Sequence, residues 1–471
     1  MSILKNKVFQ NFSYSLSANI ISLIISTIII ILVPKAIDVT EYGYFQLYMF
    51  YSSYIGFFHF GWCDGIYLRY GGEYYEKLDK RKMNSQFWLL FLLETLITVV
   101  LFTITYFLSL ERNKTIILML AIFSILVIIP KTMLVYILQL TNRIKEYSIV
   151  TIVEKVLYCL FVIIFLLFKC NYYMYILADL IGKIISLLFA ITYCKDIVFK
   201  KMNLLSSGIK EALININVGS KLMIANIAGM LILGIVRLAI ENHWSIQVFG
   251  KVSLSISISN MMMVCINAIG IVLFPMIKRM DANVIENLYY KLRDILMLLL
   301  FICLAFYYPL QVVLKIWLPS YSDSLAYIAL LFPLCVYESK MSMLVSTYIK
   351  AYRKEKIMLY VNLLSVMLSV ICSWLFVYKM NNLDLTVFSI FILFAFRCIV
   401  CELVLSSYLE KNMVKDIIIE LSICLFFICL FYFMNNFFSE IIYISTVTVY
   451  VFNKRKSLDI FFKKIKEKKF V

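Results

Sequence analysis

The sequence has little charge and no long polar stretch. Charged residues make up 15% of its 471 residues, whereas hydrophobic residues make up 63%. The mean hydropathy is +0.90, far above that of a water-soluble protein. The chain therefore has no room for a soluble domain. It also lacks a nucleotide-binding loop, a zinc motif and a nucleophile–base pair. These absences argue against ATP hydrolysis and metal catalysis, and we expect neither enzymatic activity nor a cofactor.

Cysteine is present, but its pattern predicts neither a disulfide framework nor a metal site. Twelve cysteines are scattered, mostly in apolar segments, which is typical of small packing residues. Cys398 and Cys401 form the one close pair, without a second pair or a nearby histidine. Lys5 and Lys7 precede an apolar run too long for a signal-peptide core, so no cleaved signal peptide is expected.

Long apolar runs fill the rest of the chain. A helix needs roughly 20 apolar residues to cross about 30 Å of hydrocarbon, and backbone groups in lipid need internal partners. The pattern predicts an all-α integral membrane protein with 14 transmembrane helices. We place them at about 12–34, 44–66, 86–108, 116–138, 148–168, 174–194, 213–240, 248–275, 293–314, 324–345, 357–378, 385–407, 416–436 and 437–452.

The net charge of +17 is distributed unevenly between the two sides of the predicted membrane. About 31 Lys and Arg residues fall on the side of the N-terminus, about 6 on the opposite side and about 8 within spans. This bias predicts that both termini are cytoplasmic. The basic residues then act as topology signals and contacts to membrane lipids, and no nucleic-acid partner is expected.

A weak internal sequence repeat predicts two similar halves. Tyr42-Gly43-Tyr44-Phe45 opens the second span and Phe249-Gly250-Lys251-Val252 opens the eighth, while Pro130 and Pro333 occupy spans four and ten. An offset of six spans gives two six-helix lobes in a parallel pseudo-two-fold repeat. The predicted organisation is an N-terminal lobe 1–195, a cytoplasmic linker 196–212, a C-terminal lobe 213–407, two C-terminal spans 408–452 and a basic amphipathic tail 453–471.

The run from Asp64 to Gly72, followed by Leu78-Asp79, resembles the end of span two in Wzx-type polysaccharide flippases. These belong to the multidrug/oligosaccharidyl-lipid/polysaccharide exporter superfamily. Pro34, Phe274-Pro275 and the fourteen-span layout are similar as well. The resemblance implies alternating-access export of a polyprenyl-pyrophosphate-linked oligosaccharide repeat unit across the bacterial inner membrane for cell-surface polysaccharide such as O-antigen or capsule. We place Asp64 and Arg69 of this motif among the candidate substrate contacts.

We single out thirteen ionisable residues inside predicted spans, where each costs about 2.5–3.5 kcal/mol if it faces lipid. They are Glu94, Lys131, Glu154, Lys155, Asp179, Lys183, Lys221, Arg237, Lys251, Glu338, Lys340, Arg397 and Glu402. Asp179 and Lys183, four residues apart, are expected to pair with each other. Lys221 and Lys251 lie near span ends, from which they can reach the membrane surface.

Four of the basic residues are predicted to line an aqueous cavity, with interhelical ion pairs as the alternative: Lys131, Arg237, Lys340 and Arg397. Such a cavity suits a diphosphate, because Arg matches phosphate oxygens in pairs and Lys supplies a point charge. The sugars would meet a polar stripe on the first span that includes Asn19, although such stripes also pack helices. Glu94 and Glu338 are the candidates for ion coupling, with pairing to Lys131 or Lys340 as the alternative.

Other functions remain open from the sequence alone. A multidrug or cation antiporter of the same superfamily would favour an acidic, aromatic cavity. A membrane glycan polymerase or ligase would need catalytic residues on a larger outer loop, and a scaffold protein would not need buried charge. The tail reads as an interfacial helix on anionic lipid, or as a docking site for polysaccharide synthesis enzymes. We expect a monomer.

Overall fold

The computed structural model describes residues 2–108, 111–200, 205–277, 282–352, 354–409, 412–434 and 436–466. These form twenty α-helices and no strand. The first ten are α1 (Ser2–Ala36), α2 (Val39–Ile55), α3 (Trp62–Arg69), α4 (Lys80–Phe107), α5 (Arg112–Phe123), α6 (Ile125–Leu140), α7 (Ile144–Leu167), α8 (Tyr172–Tyr193), α9 (Lys195–Val198) and α10 (Leu205–His243). The others are α11 (Ile246–Ile277), α12 (Ala282–Ala305), α13 (Tyr307–Trp317), α14 (Leu325–Leu331), α15 (Leu334–Lys340), α16 (Ser346–Ala351), α17 (Glu355–Ser373), α18 (Leu383–Tyr408), α19 (Val414–Cys429) and α20 (Phe437–Lys466).

The chain divides into two compact units, an N-terminal unit Met1–Ile227 and a C-terminal unit Ala228–Val471. The boundary falls within α10, which begins at Leu205, inside the expected linker 196–212, and runs without interruption to His243. The lobe limits inferred from the repeat stay a prediction.

Ten helices are long and apolar enough to cross a membrane, as far as the described residues extend. Pro319–Leu331 and Leu334–Lys350 add an eleventh if this pair, bent by 41°, is one span. The protein is therefore an all-helical, multi-pass membrane protein. The total of fourteen spans stays a prediction.

The predicted span 44–66 is two helices rather than one. Asp38 begins α2 by accepting a hydrogen bond from the Thr40 backbone N–H at 3.1 Å, and the helix ends at Ile55. The break before α3 contains Phe60 with φ of 51° and Gly61 with φ of 86°. Gly61 adopts this left-handed backbone without the steric cost that a Cβ would add. The expectation of one continuous helix was wrong.

Small residues let α3 cross α10 with backbone against backbone. A Cβ built on Gly65 would lie 1.9 Å from the Asn215 carbonyl oxygen, and one on Gly219 would lie 1.9 Å from the Gly61 carbonyl oxygen. Gly61 and Gly65 have the G-x-x-x-G spacing, which permits close helix approach.

Gly65→Ala is expected to destabilise the N-terminal unit, because its methyl group has no room between α3 and α10. An overpacked contact of this kind costs about 1–3 kcal/mol. Thermal unfolding of the purified protein in detergent measures the effect. Gly56→Ala is the control, since a Cβ at Gly56 meets no atom within 4 Å. Equal unfolding midpoints for the two variants would contradict the close crossing.

Pro130 and Pro333, which occupy corresponding spans of the predicted repeat, have different structural effects. Pro130 lies inside α6, and the preceding break separates α5 from α6 at Ser124. Pro333 lies at the 41° bend between α14 and α15, because proline cannot donate to the preceding turn. A π-helical segment, Met341–Val345, follows Lys340 directly. The predicted span 324–345 is thus bent and locally widened.

The C-terminal spans form α19, with a π-helical end at Leu430–Met434, and α20. Helix α20 begins near the predicted limit and continues as one helix to Lys466. The Tyr443 hydroxyl donates to the Phe301 carbonyl oxygen at 3.1 Å, which joins α20 to α12. The side chains of the predicted amphipathic tail beyond Lys454, and those of Phe274-Pro275, lie outside the described residues.

Candidate functional site

Arg397 is a partly accessible cation inside the C-terminal unit. It lies on α18, and its Nη1 donates to Glu338 Oε2 of α15 at 3.1 Å. Its Nε donates to Asn362 Oδ1 of α17 at 2.9 Å. The Arg397 side chain keeps 11% of its surface exposed and the Glu338 side chain keeps 24%. The pair is therefore partly accessible.

The guanidinium of Arg397 has donors to spare. It carries five N–H groups, of which two are used by Glu338 and Asn362. Its Nη2 lies 3.7 Å from where a Cβ of Gly229 would be, so the absent side chain leaves this edge open. The sequence did not indicate which acid pairs with Arg397, because Glu338 lies 59 residues away on another helix.

Lys340 lies instead in a closed ion network. Its Nζ donates to Glu402 Oε2 at 2.5 Å and to Glu420 Oε2 at 2.7 Å. Arg293 of α12 reaches the other oxygens of the same acids, with Nε 2.7 Å from Glu402 Oε1 and Nη1 2.9 Å from Glu420 Oε1. All four side chains are at most 1% exposed.

This network contains two positive and two negative charges, so it is neutral and has little room for a ligand. The geometry favours a structural role for Lys340, whose assignment to the substrate cavity stays a prediction. Arg293 and Glu420 were missed from the sequence because both were placed near span ends. Lys454 of α20 extends the contacts at 2.9 Å from Asp294 and 3.0 Å from Asp416.

In the N-terminal unit, Lys131 of α6 pairs with Glu154 of α7 at 2.5 Å. Both side chains are partly accessible, at 13% and 15%. Lys131 was expected to line a cavity or to form an interhelical pair, and the pair is observed. Lys155 lies within electrostatic range of Glu154, and among the described residues it makes no ion pair or hydrogen bond.

A second cluster lies on the adjoining helices. Lys183 and Asp179 of α8 pair at 2.5 Å, which confirms the predicted i, i+4 interaction. Tyr48 of α2 donates to Asp179 at 2.8 Å, and Lys183 donates to Ser52 at 2.9 Å. Gly182 allows the close approach of α7, since a Cβ there would lie 2.9 Å from the Glu154 carbonyl oxygen.

The remaining polar candidates differ in setting. Arg237 of α10 donates to Ser253 at 3.0 Å, with its guanidinium carbon 5.3 Å from the Phe249 ring centre. Asn19 is exposed on α1. Asp64 is buried at the start of α3, with one carboxylate oxygen 3.9 Å from His59 Nε2. Their assignment to substrate binding stays a prediction.

Arg69 anchors the end of α3 to α10. Its Nη1 donates to Glu211 Oε1 and to Asn215 Oδ1, both at 2.5 Å. Glu211 also accepts from the Tyr70 hydroxyl at 2.7 Å and pairs with Lys82 at 2.9 Å. Glu211 thus holds three donors from the segment that carries the flippase-like motif. The geometry favours a structural role for Arg69.

The loops after α3, α6 and α8 meet at one end of the N-terminal unit. The Gly72 N–H donates to the Leu140 carbonyl oxygen at 3.0 Å, and the Tyr75 hydroxyl donates to Asp196 at 2.5 Å. Burial raises the pKa of the Asp196 carboxyl, but hydrogen bonds from Tyr75 and Lys80 outweigh it and hold that pKa below its usual range. The loops follow the second, fourth and sixth predicted spans, so all three were predicted on the cytoplasmic side. Their meeting at one end of the unit agrees with spans that alternate in direction.

Glu94 of α4 is a buried acid without a partner in the described part of the chain. Its side chain is fully buried, and neither carboxylate oxygen accepts a hydrogen bond. The hydroxyl of Thr98, one turn further along α4, is equally without a partner. The expected pairing of Glu94 with Lys131 is not observed, because Lys131 binds Glu154. Burying an ionised carboxylate without a hydrogen-bond partner is costly.

Long apolar helices with charged side chains in their interiors define a multi-pass membrane protein. The fold agrees with those of known transporters. The lipid II flippase MurJ in an inward closed conformation has 12% identity and a TM-score of 0.69, with 96% of this chain and 99% of that chain covered. An inward-facing multidrug resistance MATE family transporter of the MOP superfamily has 13% identity and a TM-score of 0.64, with 84% and 99% covered. A MATE protein in the straight conformation has 13% identity and a TM-score of 0.53, with 87% and 97% covered.

The chain belongs to the polysaccharide biosynthesis protein family, whose model matches residues 8–281, more than half of the chain. No curated protein sequence matches the chain significantly. The resemblance to polysaccharide flippases of the exporter superfamily is thus confirmed at the level of family and fold.

Proposed function

We propose that this protein is a flippase for a polyprenyl-pyrophosphate-linked oligosaccharide in the assembly of a cell-surface polysaccharide. The family is one of polysaccharide biosynthesis proteins, and the fold is shared with a flippase of a lipid-linked precursor. The proposed location is the bacterial inner membrane, with both termini in the cytoplasm. The proposed mechanism is alternating access of two six-helix lobes, 1–195 and 213–407, in parallel repeat.

Arg397 is the observation that carries the proposal. Placing a guanidinium inside an apolar helix costs free energy, so such a group indicates a functional site. Arg397 also retains unused hydrogen-bond donors and is partly exposed. A diphosphate offers several charged oxygens to such a group, and a bidentate contact suits its planar geometry. A cationic drug would be repelled by Arg397, which disfavours the antiporter alternative for this part of the protein.

The N-terminal unit supports the same ligand chemistry. Lys131, Lys155 and Lys183 lie on adjoining helices, and among the described residues their only ion-pair partners are Glu154 and Asp179. This cluster has a net positive charge, so it attracts an anion more readily than the neutral network around Lys340.

In this proposal Lys131 and Arg397 are the main phosphate contacts, and Arg237, Asn19 and Asp64 are secondary contacts. The protein acts as a monomer with membrane lipids and polysaccharide synthesis enzymes as partners.

Reconstitution into liposomes tests this function. Purified protein is mixed with a labelled polyprenyl-pyrophosphate oligosaccharide, and an impermeant sugar-cleaving enzyme reports the fraction exposed outside. We expect protein-dependent exposure of the pyrophosphate lipid and much slower exposure of a matched monophosphate lipid. Uptake of a cationic drug in place of lipid movement would instead establish the antiporter. Cleavage or elongation of the glycan by the protein itself would establish a polymerase or ligase.

Glu94 is the proposed ion-coupling group, because Glu338 is engaged by Arg397. Glu94→Gln is expected to remove the stimulation of lipid movement by a proton gradient while leaving gradient-free movement largely intact. The glutamine keeps the shape of the side chain but cannot exchange a proton. The measurement is the flipping rate in liposomes with and without a pH difference. Glu111→Gln, at an exposed position before α5, is the control, and an unchanged gradient response in Glu94→Gln would remove Glu94 from coupling.

A further inference from the structure

The ion pair between Arg397 and Glu338 differs from the buried ion network around Lys340 in the same unit. It rests on one hydrogen bond, from Nη1 to Oε2 at 3.1 Å, and both side chains retain exposed surface. In the buried network, by contrast, Arg293 and Lys340 each contact both Glu402 and Glu420. One pair can therefore be opened by a ligand, whereas the other is enclosed by protein.

We propose that Glu338 is an internal counter-ion that a phosphate group of the substrate displaces from Arg397, and that its return promotes release of the substrate. This inference rests on the proposed function and assigns Glu338 a positioning role rather than a proton-coupling one. The carboxylate holds Arg397 when no substrate is present. The phosphate then takes over the donors that the carboxylate leaves.

Asn362 makes such an exchange possible without moving the guanidinium. The Asn362 side-chain oxygen accepts from Arg397 Nε at 2.9 Å, on the side of the group that Glu338 does not use. Nε therefore stays fixed while Nη1 and Nη2 change partners. An arginine held on one side loses little freedom when it binds a planar pair of oxygens on the other.

Gly229 provides the route by which a ligand oxygen reaches the same edge. The nearest atoms to a Cβ built on Gly229 are Asn362 Nδ2 at 3.6 Å and Arg397 Nη2 at 3.7 Å, so this position adds no side chain beside the guanidinium. The glycine is therefore not required by close packing, since a methyl group fits. Gly229 therefore leaves the space of a methyl group beside Arg397 Nη2.

A transporter gains from a competing carboxylate at this position. Without Glu338, a diphosphate would meet an unpaired cation in a weakly polar setting and bind tightly, which slows its release. With Glu338 present, the diphosphate must first displace the carboxylate from Arg397, so the net gain on binding is smaller. Only interactions that differ between the loaded and unloaded states shift the equilibrium between them.

Glu338→Gln tests the inference, with binding and transport measured separately. The probe is a labelled polyprenyl pyrophosphate that binds to the full-length protein in lipid nanodiscs, and the flipping rate is measured in liposomes at saturating lipid. We expect about tenfold tighter binding in Glu338→Gln together with a slower flipping rate, a factor that corresponds to about 1.4 kcal/mol. Asp323→Asn, at an exposed partner of Lys251, is the control and should leave both values unchanged.

The outcomes separate this inference from the proposed function. Unchanged binding and flipping in Glu338→Gln, or weaker binding, would overturn the counter-ion role while the wild-type protein still flips the lipid. A wild-type protein that neither binds nor moves the pyrophosphate lipid would overturn the function itself. If Glu338→Gln does not fold, Glu338→Asp gives the same test. Its shorter carboxylate reaches Arg397 less well, so a smaller gain in affinity is expected, and no gain would contradict the proposal.

Discussion

Arg397→Gln is expected to reduce flipping of the pyrophosphate-linked oligosaccharide by about 100-fold or more. Hydrogen bonds to a charged group contribute about 1.5–3 kcal/mol each, and loss of two such bonds to a phosphate exceeds a factor of 100. The protein should still fold, because the Glu338 side chain is 24% exposed and is not enclosed by protein when Arg397 is replaced. The measurements are the flipping rate in liposomes and the amount of surface polysaccharide in cells at matched protein level.

Two companion variants make this result specific to the guanidinium. Arg397→Lys keeps the charge but loses the paired donors, so an intermediate rate is expected. Lys251→Gln removes a cation whose partner, Asp323, is 81% exposed, and it should flip the lipid normally. Wild-type rates in Arg397→Gln would remove Arg397 from the transport path.

Lys340→Met is expected to destabilise the protein by about 3–5 kcal/mol. Removing one member of a buried ion pair leaves an uncompensated charge, and here Glu402 and Glu420 would share Arg293 alone. The methionine is similar in volume, so the loss reports charge rather than packing. Thermal unfolding in detergent and in the presence of lipid measures the change.

The double variant Lys340→Met/Glu402→Gln restores neutrality and should recover a large part of the lost stability. Lys251→Met is the matched control, because an ion pair with an exposed partner contributes about 0–1 kcal/mol. If Lys340→Met were as stable as Lys251→Met, the network around Arg293 would not hold these helices together.

Much of the fold follows from hydrophobic runs and charge bias. Length and composition predict the long helices α4, α7 and α8, since a span must satisfy its backbone groups internally. The break at Phe60 and Gly61 and the bend at Pro333 are harder to predict, because apolar segments look alike whether they are straight or broken. The left-handed residues and the close contact with α10 decide the geometry, and both depend on residues far away in the sequence.

The candidate site was predicted less completely than the fold. A charge within an apolar run indicates a residue with a special role, and Arg397, Lys131 and Glu94 were found in this way. The sequence does not indicate which charges are partners when they lie on different helices. Glu338 was therefore assigned to coupling although it bonds to Arg397. The network around Lys340 was missed because Arg293 and Glu420 lie near predicted span ends.

The most direct test of the central claim is the position of the phosphates. A cryo-electron-microscopy structure of the protein in nanodiscs, bound to a polyprenyl-pyrophosphate oligosaccharide, would show them. We predict diphosphate density within hydrogen-bonding distance of the Arg397 guanidinium, with Glu338 turned away from it. Diphosphate density remote from Arg397, with the Arg397–Glu338 pair intact beside it, would contradict the claim.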